Sequence, residues 1–236
     1  MIKGLFKLKR WEALFEVFPE EYLPGFIMTL EVALTGLLLA LVLGIIFGML
    51  STTKVKICRF ISRVYVEFFQ NTPLVVQVFF YYSCLPYLIG GRVPKFLLGV
   101  IGVGIYHGAY ISEVIRTGIE AVPRGQFDAA YSQGFSYLQT MRYIILPQTL
   151  KIILPSLANQ ALNLVKNTSV LAMVAGLDLM YYADRWGADR GYFVQAYFSC
   201  ALLYFAICFP LAKLARFLEI RAKQTPVPKK RKGVAA

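Results

Sequence analysis

The residues best suited to bind another molecule are polar side chains that interrupt long apolar stretches of the sequence. They are His107, Gln77, Asn159, Gln160, Asn163 and Lys166. We expect no metal ion, because no second histidine or cysteine lies near His107 in the sequence. We expect no catalytic residue, because no nucleophile and base form a convincing pair. The chemistry left to these groups is reversible binding through hydrogen bonds and charge.

Each of these side chains also has a plainer structural explanation. Amides inside a membrane helix can hold helices together, so Asn159 and Gln160 fit helix packing as well as ligand contact. Lys166 can extend its ammonium group to the membrane surface or can bind a ligand carboxylate. His107 can be a packed, neutral, hydrogen-bonded side chain or can face a cavity. The sequence leaves these alternatives open.

Composition sets the environment of these side chains. Apolar residues make up 58% of the 236 residues and charged residues only 16%, and the mean hydropathy is +0.58. A soluble domain is about 45–50% apolar and about 25% charged, so this chain has too little charge to cover one soluble core. These values argue against a soluble enzyme, a disordered chain and, despite the net charge of +12, a soluble nucleic-acid-binding protein. We therefore expect a membrane protein with no nucleic-acid partner.

Five apolar stretches are long enough, at about 20 residues each, to cross a bilayer as helices. They cover residues 23–50, 64–89, 96–115, 148–174 and 192–214. They are rich in leucine and do not alternate, which argues against outer-membrane strands. The sequence thus predicts an all-α integral membrane fold with five transmembrane helices. Gly44 and Gly48 predict close helix packing in the first span, and Glu113 and Arg116 are expected to pair within the third.

The distribution of lysine and arginine selects an orientation for these five spans. Sixteen of these residues lie in segments 51–63 and 116–151 and in the C-terminal tail, whereas eight lie in the N-terminal segment and in loops 90–95 and 175–191. The sequence therefore predicts a multi-pass protein with its N-terminus outside and its C-terminus in the cytoplasm.

The two ends of the chain predict separate contacts with the membrane. Apolar residues recur at helical spacing within residues 1–22, which predicts an amphipathic segment lying along the membrane surface. Residues 216–236 form a basic cytoplasmic tail that we expect to attract anionic membrane lipid. The transmembrane domain lies between them, over residues 23–215.

The loop between the third and fourth spans predicts two short helices. The first begins after Pro123 and stops at Gly134. Ser136 and Gln139 have the spacing of a capping box that opens a second helix over 137–145. We expect Pro147 to close or kink this second helix.

This loop has the composition of a contact surface. Ala129, Ala130 and Gly134 present little side chain, which lets another surface approach closely. Insertion into the groove of a partner protein fits this pattern, and so does a loop folded back on its own helices.

The same loop contains a spaced pattern of Asp128, Ala129, Ala130, Gly134, Ile144, Leu146 and Pro147. This pattern resembles the EAA loop of ABC importer permeases. Asp128 stands in place of the family's glutamate and keeps its charge. The segments 67–77, 110–126 and 159–169 resemble permeases for polar amino acids of the histidine, glutamine and glutamate type. The resemblance covers roughly residues 23–215.

This resemblance implies a transport role and a set of partners. The chain would be the permease subunit of an importer that moves polar amino acids by alternating access, in a bacterial cell membrane. Its coupling loop, residues 117–147, would sit in a cleft of a cytoplasmic ABC ATPase dimer that holds ATP and magnesium. A second permease copy or paralogue and an extracytoplasmic amino-acid-binding protein would complete the assembly.

The sequence itself limits where the energy for transport can come from. It contains no phosphate-binding loop, so we expect no cofactor on this chain, and ATP hydrolysis on a partner subunit. Two other classes of function remain open at this point. One is an intramembrane enzyme, which the single histidine and sparse acids disfavour, and the other is an energy-independent channel or carrier.

Overall fold

The computed structural model describes residues 8–224, and every regular element in that range is helical. In chain order the α-helices are α1 (Leu8–Val17), α2 (Leu23–Thr52), α3 (Lys56–Gln70), α4 (Leu74–Ile89), α5 (Lys95–Ala121), α6 (Arg124–Ser132), α7 (Tyr137–Thr140), α8 (Leu146–Asn167), α9 (Leu179–Arg190) and α10 (Phe193–Gln224). Two π-helical turns, Phe18–Tyr22 and Met141–Ile145, precede α2 and α8, and a 3₁₀ segment, Thr168–Val174, extends α8. The predicted all-α fold is confirmed. The predictions for residues 1–7 and 225–236 lie outside the described residues.

Helices α2 and α5 form the centre of the fold, and glycines let their backbones approach closely. A Cβ added at Gly44 would lie 2.3 Å from Cγ2 of Ile111, and one added at Gly48 would lie 2.8 Å from Cβ of Ile115. Ile111 is fully buried in this contact. The close packing predicted for the two glycines is therefore confirmed.

The second predicted span is not a single helix. Helices α3 and α4 are separated by three residues, and their axes differ by 101°. Pro73 precedes α4 with φ −59° and ψ 134°, a conformation that cannot continue a helix. The end of α3 is capped by Gln77, whose Nε2 donates to the carbonyl oxygens of Phe69 and Thr72, each at 3.0 Å. The prediction of one continuous helix over 64–89 is wrong, and the pair forms a broken span or a re-entrant loop.

Length and composition support three membrane crossings within the described residues, or four if the bent pair α3–α4 is one span. Helices α5 and α10, the helical run that contains α2, and the bent pair α3–α4 are apolar enough to cross. The fourth predicted span corresponds to α8, which packs against α5 and α10. Its amide and lysine side chains lower its hydropathy. The helical membrane fold is confirmed, whereas the number of five crossings stays a prediction.

Contacts at the helix ends show which segments share an end of the bundle. The Tyr137 side chain of α7 interacts with Thr52 at the end of α2. The backbone N–H of Leu179 in α9 donates to Oγ1 of Thr29, near the start of α2, at 3.0 Å. We call the end that carries α6 and α7 the hairpin end, and the end that carries α9 the opposite end.

Helix α1 lies at the opposite end and covers part of the segment predicted to be amphipathic. Leu14 is buried, and Trp11 meets the ring of Phe198 in α10 edge to face, with centroids 5.9 Å apart. Leu8 and Phe15 on α1 are exposed. One face of α1 therefore packs on the protein and another presents apolar side chains outward. Its location at the membrane surface stays a prediction.

Candidate functional site

A polar cavity of about 240 Å³ lies between α5 and α8. It is lined by Tyr106, His107, Tyr110, Gln160, Asn163, Lys166 and Asn167. Three of these residues, Gln160, Asn163 and Asn167, are spaced by three and four positions, so they share one face of α8. On α5, Tyr106 and Tyr110 are four residues apart, and their hydroxyl oxygens lie 3.1 Å from each other. Helical periodicity on two packed helices thus builds the lining.

His107 lines this cavity, is 2% exposed, and has a hydrogen bond at each ring nitrogen. Its Nδ1 lies 3.3 Å from Oε1 of Gln160, and its Nε2 lies 3.0 Å from Nδ2 of Asn167. An amide oxygen can only accept a hydrogen bond and an amide nitrogen can only donate one. In this arrangement Nδ1 therefore carries the proton and Nε2 accepts, so the ring is neutral. Both sequence alternatives for His107, a packed neutral side chain and a cavity-facing one, hold at once.

The two hydrogen bonds of His107 orient the neighbouring amides. Gln160 turns its oxygen to the ring and Asn167 turns its nitrogen to the ring. The remaining Nε2 of Gln160 and Oδ1 of Asn167 make no other hydrogen bond within residues 8–224. Lys166 is exposed and carries the one formal charge of the lining. A donor amide, an acceptor amide and an ammonium group are therefore left for a ligand.

Two of the residues expected on a substrate path lie outside this cavity. Gln77 is 4% exposed and caps α3 at the break before α4, where the last carbonyl groups of a helix need donors. Asn159 precedes Gln160, but its side chain is exposed and does not line the cavity, because one helical step turns it by about 100°. The structure does not bring these two side chains to His107.

Three lining residues were missed as site candidates in the sequence analysis. Tyr106 and Tyr110 flank His107 one turn apart, and Asn167 directly follows Lys166. The spacing of Gln160, Asn163 and Asn167 would have revealed a polar face of α8.

Helices α6 and α7 form a compact hairpin with the predicted start and stop signals. Pro123 directly precedes α6, and Gly134 lies in the left-handed region with φ +82° between α6 and α7. The Ser136 backbone N–H donates to Oε1 of Gln139 at 2.8 Å, and the Gln139 N–H donates to Oγ of Ser136 at 3.3 Å. The predicted capping box is therefore confirmed. Pro147 does not end the second helix, because the chain widens into the π-helical turn before it and continues as α8.

The hairpin exposes only part of the small-residue surface predicted from the sequence. Asp128, Ala129 and Gly134 are exposed. Ala130 is 1% exposed and cannot belong to an exposed contact surface. It lies one turn after Phe127, which packs against the core, so both residues share the inward face of α6.

Large apolar side chains are exposed on the hairpin as well. Leu138 is 76% exposed, and Tyr131 and Tyr143 are also exposed. Pro147 is exposed just beyond them. Several exposed apolar side chains on a segment outside the spanning helices are typical of an interaction site.

The inner face of the hairpin is anchored to the bundle. Ile145 is fully buried, and Ile144 and Leu146 are half-buried against the same core. The Nε2 of Gln148 at the start of α8 donates to Oε1 of Gln126 in α6 at 3.2 Å. These contacts fix the hairpin to α8 rather than leaving it on a flexible tether.

Helix α8 connects the hairpin to the cavity without a break. Helix α7, the π-helical turn and α8 follow one another directly in the chain. Gln160 lies thirteen positions after Pro147, a rise of about 20 Å along the helix. The hairpin and the cavity wall that carries Gln160, Asn163 and Asn167 are therefore parts of one helical run.

A second cavity, of about 560 Å³, lies at the hairpin end between α3 and α5. Arg116 of α5 donates from Nε to Oε2 of Glu113 at 2.9 Å and pairs with Glu120 at 2.6 Å. The predicted pairing of Glu113 and Arg116 is confirmed. Arg116 thus pairs with both glutamates of α5, and this wall of the cavity keeps one excess negative charge.

At the opposite end, Asp178 precedes α9 and is fully buried. Its carboxylate accepts hydrogen bonds from the backbone N–H groups of Met180 and Tyr181 and from the hydroxyl of Tyr204 in α10. Burial raises the pKa of Asp178 to about 6, although these hydrogen bonds act in the opposite direction.

Comparison with known proteins adds a family and a shared fold. Residues 40–224 match the family described as "Binding-protein-dependent transport system inner membrane component". The probable glutamine ABC transporter permease protein GlnM of Bacillus subtilis (strain 168) is 41% identical over 204 residues, which cover 86% of this chain and 94% of the relative.

Solved structures share the architecture. An amino acid ABC transporter "with histidines" is 30% identical, has a TM-score of 0.79, and the match covers 89% of this chain and 97% of that chain. The MetNI methionine ABC transporter in an inward-facing conformation is 15% identical with a TM-score of 0.64 over 88% of this chain, a likeness of fold alone.

Proposed function

The chain belongs to the family of binding-protein-dependent transport system inner membrane components, and from this membership we propose that it is the permease subunit of an ABC importer for polar amino acids. It is an integral inner-membrane transport subunit. The observation that carries the proposal is the direct continuity between an exposed apolar hairpin and the helix that lines a polar cavity. That arrangement links a docking surface to a ligand-sized space.

The family implies an ATPase partner, and we assign its docking surface to the hairpin. Asp128, Ala129 and Gly134 lie on its outside with Tyr131 and Leu138. We expect this surface to enter a cleft of a cytoplasmic ABC ATPase dimer that binds ATP and magnesium. ATP hydrolysis then occurs on the partner, and this chain performs no chemical step.

The cavity between α5 and α8 supplies the substrate contacts in this proposal. His107, Gln160, Asn163 and Lys166 offer hydrogen bonds and one positive charge to an amino acid. An extracytoplasmic binding protein delivers the amino acid, and a second permease copy or paralogue completes the pathway. A partner can shift a conformational equilibrium of the permease only by binding its conformations with different affinities. The nucleotide states of the ATPase must therefore favour different positions of the hairpin.

The test is uptake by proteoliposomes that contain the chain, its ATPase and its binding protein. Radiolabelled glutamine should accumulate only when ATP is supplied. Gly134→Asp should abolish both uptake and co-purification of the ATPase, because it adds a charged side chain to the docking surface. The inserted protein should otherwise be produced normally.

Gly90→Asp is the matched control for this substitution. Both glycines have positive φ, +69° at Gly90 and +82° at Gly134, and an added Cβ would meet nothing within 4 Å at either position. The backbone cost of leaving glycine, about 1 kcal/mol, is therefore shared. Normal ATPase co-purification by Gly134→Asp, or uptake without ATP, would contradict the proposal and favour a channel or carrier.

A further inference from the structure

The cavity between α5 and α8 contains a single formal charge, and that charge is positive. Lys166 is the only charged residue among the seven that line it, and none of the seven is aspartate or glutamate. The ion pairs found within residues 8–224 involve other residues. The Lys166 ammonium group thus has no carboxylate partner on the described part of this chain.

His107 fixes the orientation of the two amide side chains beside it. It holds the oxygen of Gln160 and the nitrogen of Asn167, so Gln160 presents its NH₂ group and Asn167 presents its carbonyl oxygen. Lys166 and the NH₂ group of Gln160 are donors that suit a carboxylate. The carbonyl oxygen of Asn167 and the faces of Tyr106 and Tyr110 suit one ammonium group.

We propose that this cavity selects amino acids with neutral or anionic side chains and rejects those with cationic side chains. The inference rests on the proposed function, since it names the substrate class of the same cavity. The α-ammonium group of the ligand can contact Asn167 and the tyrosine rings. A cationic ligand side chain has no group of opposite charge among the lining residues. It would share the cavity with the Lys166 ammonium group, and like charges repel.

The test measures binding to the purified permease–ATPase complex without the binding protein, so that the selectivity of the binding protein does not contribute. L-[³H]glutamine is the probe, and unlabelled L-glutamine, L-glutamate, L-arginine and L-lysine compete. Glutamine and glutamate should displace the probe, and arginine and lysine should be weaker by about tenfold or more, the order expected for one unpaired charge contact.

Gln160→Glu is the decisive variant. It keeps the oxygen that accepts from Nδ1 of His107 and replaces the NH₂ group by a second carboxylate oxygen. Arginine and lysine should gain about tenfold relative to glutamine. Asn167→Asp adds the same charge on the other side of His107 and serves as a second variant if the first does not fold.

Asn159→Asp is the matched control. It makes the same amide-to-acid change one position away, where the side chain is exposed outside the cavity. The order of the four competitors should stay that of the unaltered chain.

The outcomes separate this inference from the proposed function. Equal displacement by glutamine and arginine, with ATP-driven uptake intact, would overturn the inference alone. Uptake without measurable binding to the complex would also overturn it, because selection would then reside elsewhere. An absence of both binding and uptake of any amino acid would overturn the proposed function itself.

Discussion

Polar side chains in this protein lie where nearby groups need a hydrogen-bond partner. Asp178 shows this at the opposite end, where it caps α9 while fully buried. Burial disfavours its charged form more than its hydrogen-bond donors favour it, so its pKa rises to about 6. Tyr204 and Cys200 of α10 face it and carry no charge that could offset the burial.

Asp178 should make stability depend on pH. A carboxyl group with a higher pKa in the folded protein than in the unfolded chain stabilises the fold below the unfolded value, near 4. That contribution is lost as the pH rises through about 6. Thermal unfolding in detergent should therefore show lower stability at pH 7 than at pH 4.5, by up to about 2 kcal/mol.

Asp178→Asn removes the titrating group and keeps one acceptor for the backbone N–H groups of Met180 and Tyr181. The difference in stability between the two pH values should become smaller in this variant. An unchanged difference would show that another group titrates in this range.

The sequence predicts which helix face a polar side chain occupies better than it predicts the hydrogen-bond partner of that side chain. Gln160, Asn163 and Asn167 could be placed on one polar face of α8 from their spacing alone. The role of Gln77 could not, because it depends on carbonyl groups that become free only where α3 breaks from α4. A side chain that satisfies an irregular backbone leaves no periodic signal in the sequence.

At the scale of elements, the contact between α2 and α5 determines the core. Glycine at the contact was predictable from the GxxxG spacing, and the identity of the opposing helix was not. Ile111 and Ile115 fill the space that the glycines leave. Side chains of α5 therefore fill the space that side chains on α2 would otherwise occupy.

Gly44→Ala tests this contact. In an open helix the change would stabilise by about 1 kcal/mol. Here the new Cβ would lie 2.3 Å from Cγ2 of Ile111, so we expect a net loss of about 1–3 kcal/mol in unfolding measurements. Combining it with Ile111→Ala should cost less than the sum of the two single changes.

Gly125→Ala provides the reference substitution. Gly125 is also helical, and an added Cβ there would meet nothing within 4 Å. Its stability should stay the same or rise slightly. Equal changes in stability at Gly44 and Gly125 would show that the α2–α5 contact accommodates the added methyl group without loss of stability.

At the scale of the whole molecule, charge is distributed between the two ends of the bundle. Segments 51–63 and 116–151 lie at the hairpin end, and loops 90–95 and 175–191 lie at the opposite end. This two-sided arrangement agrees with the sequence-based assignment. The structure contains no membrane, so the orientation rests on the excess of lysine and arginine at the hairpin end.

Reporter fusions test that orientation. A fluorescent protein fused after Ala236 should be fluorescent, because it should fold in the cytoplasm. Alkaline phosphatase fused after Gly191 should be active, because this position should lie outside. The same enzyme fused after Val122, at the hairpin end, should be inactive.

The reverse pattern of activities would place the hairpin outside the cell. It could then no longer dock on a cytoplasmic ATPase. A failure of this test would therefore weaken the proposed function more than any single substitution in the cavity.

The 3₁₀ segment that extends α8 is held to the start of α5 by one lysine side chain. The ammonium group of Lys95, at the start of α5, donates to the carbonyl oxygen of Val174 at 2.8 Å and lies 4.3 Å from the ring centre of Tyr82 in α4. Its hydrogen-bond acceptor is main chain, so mutation at position 174 cannot delete it. Substitution of Lys95 would therefore remove this contact, whereas substitution of Val174 would leave its carbonyl acceptor in place.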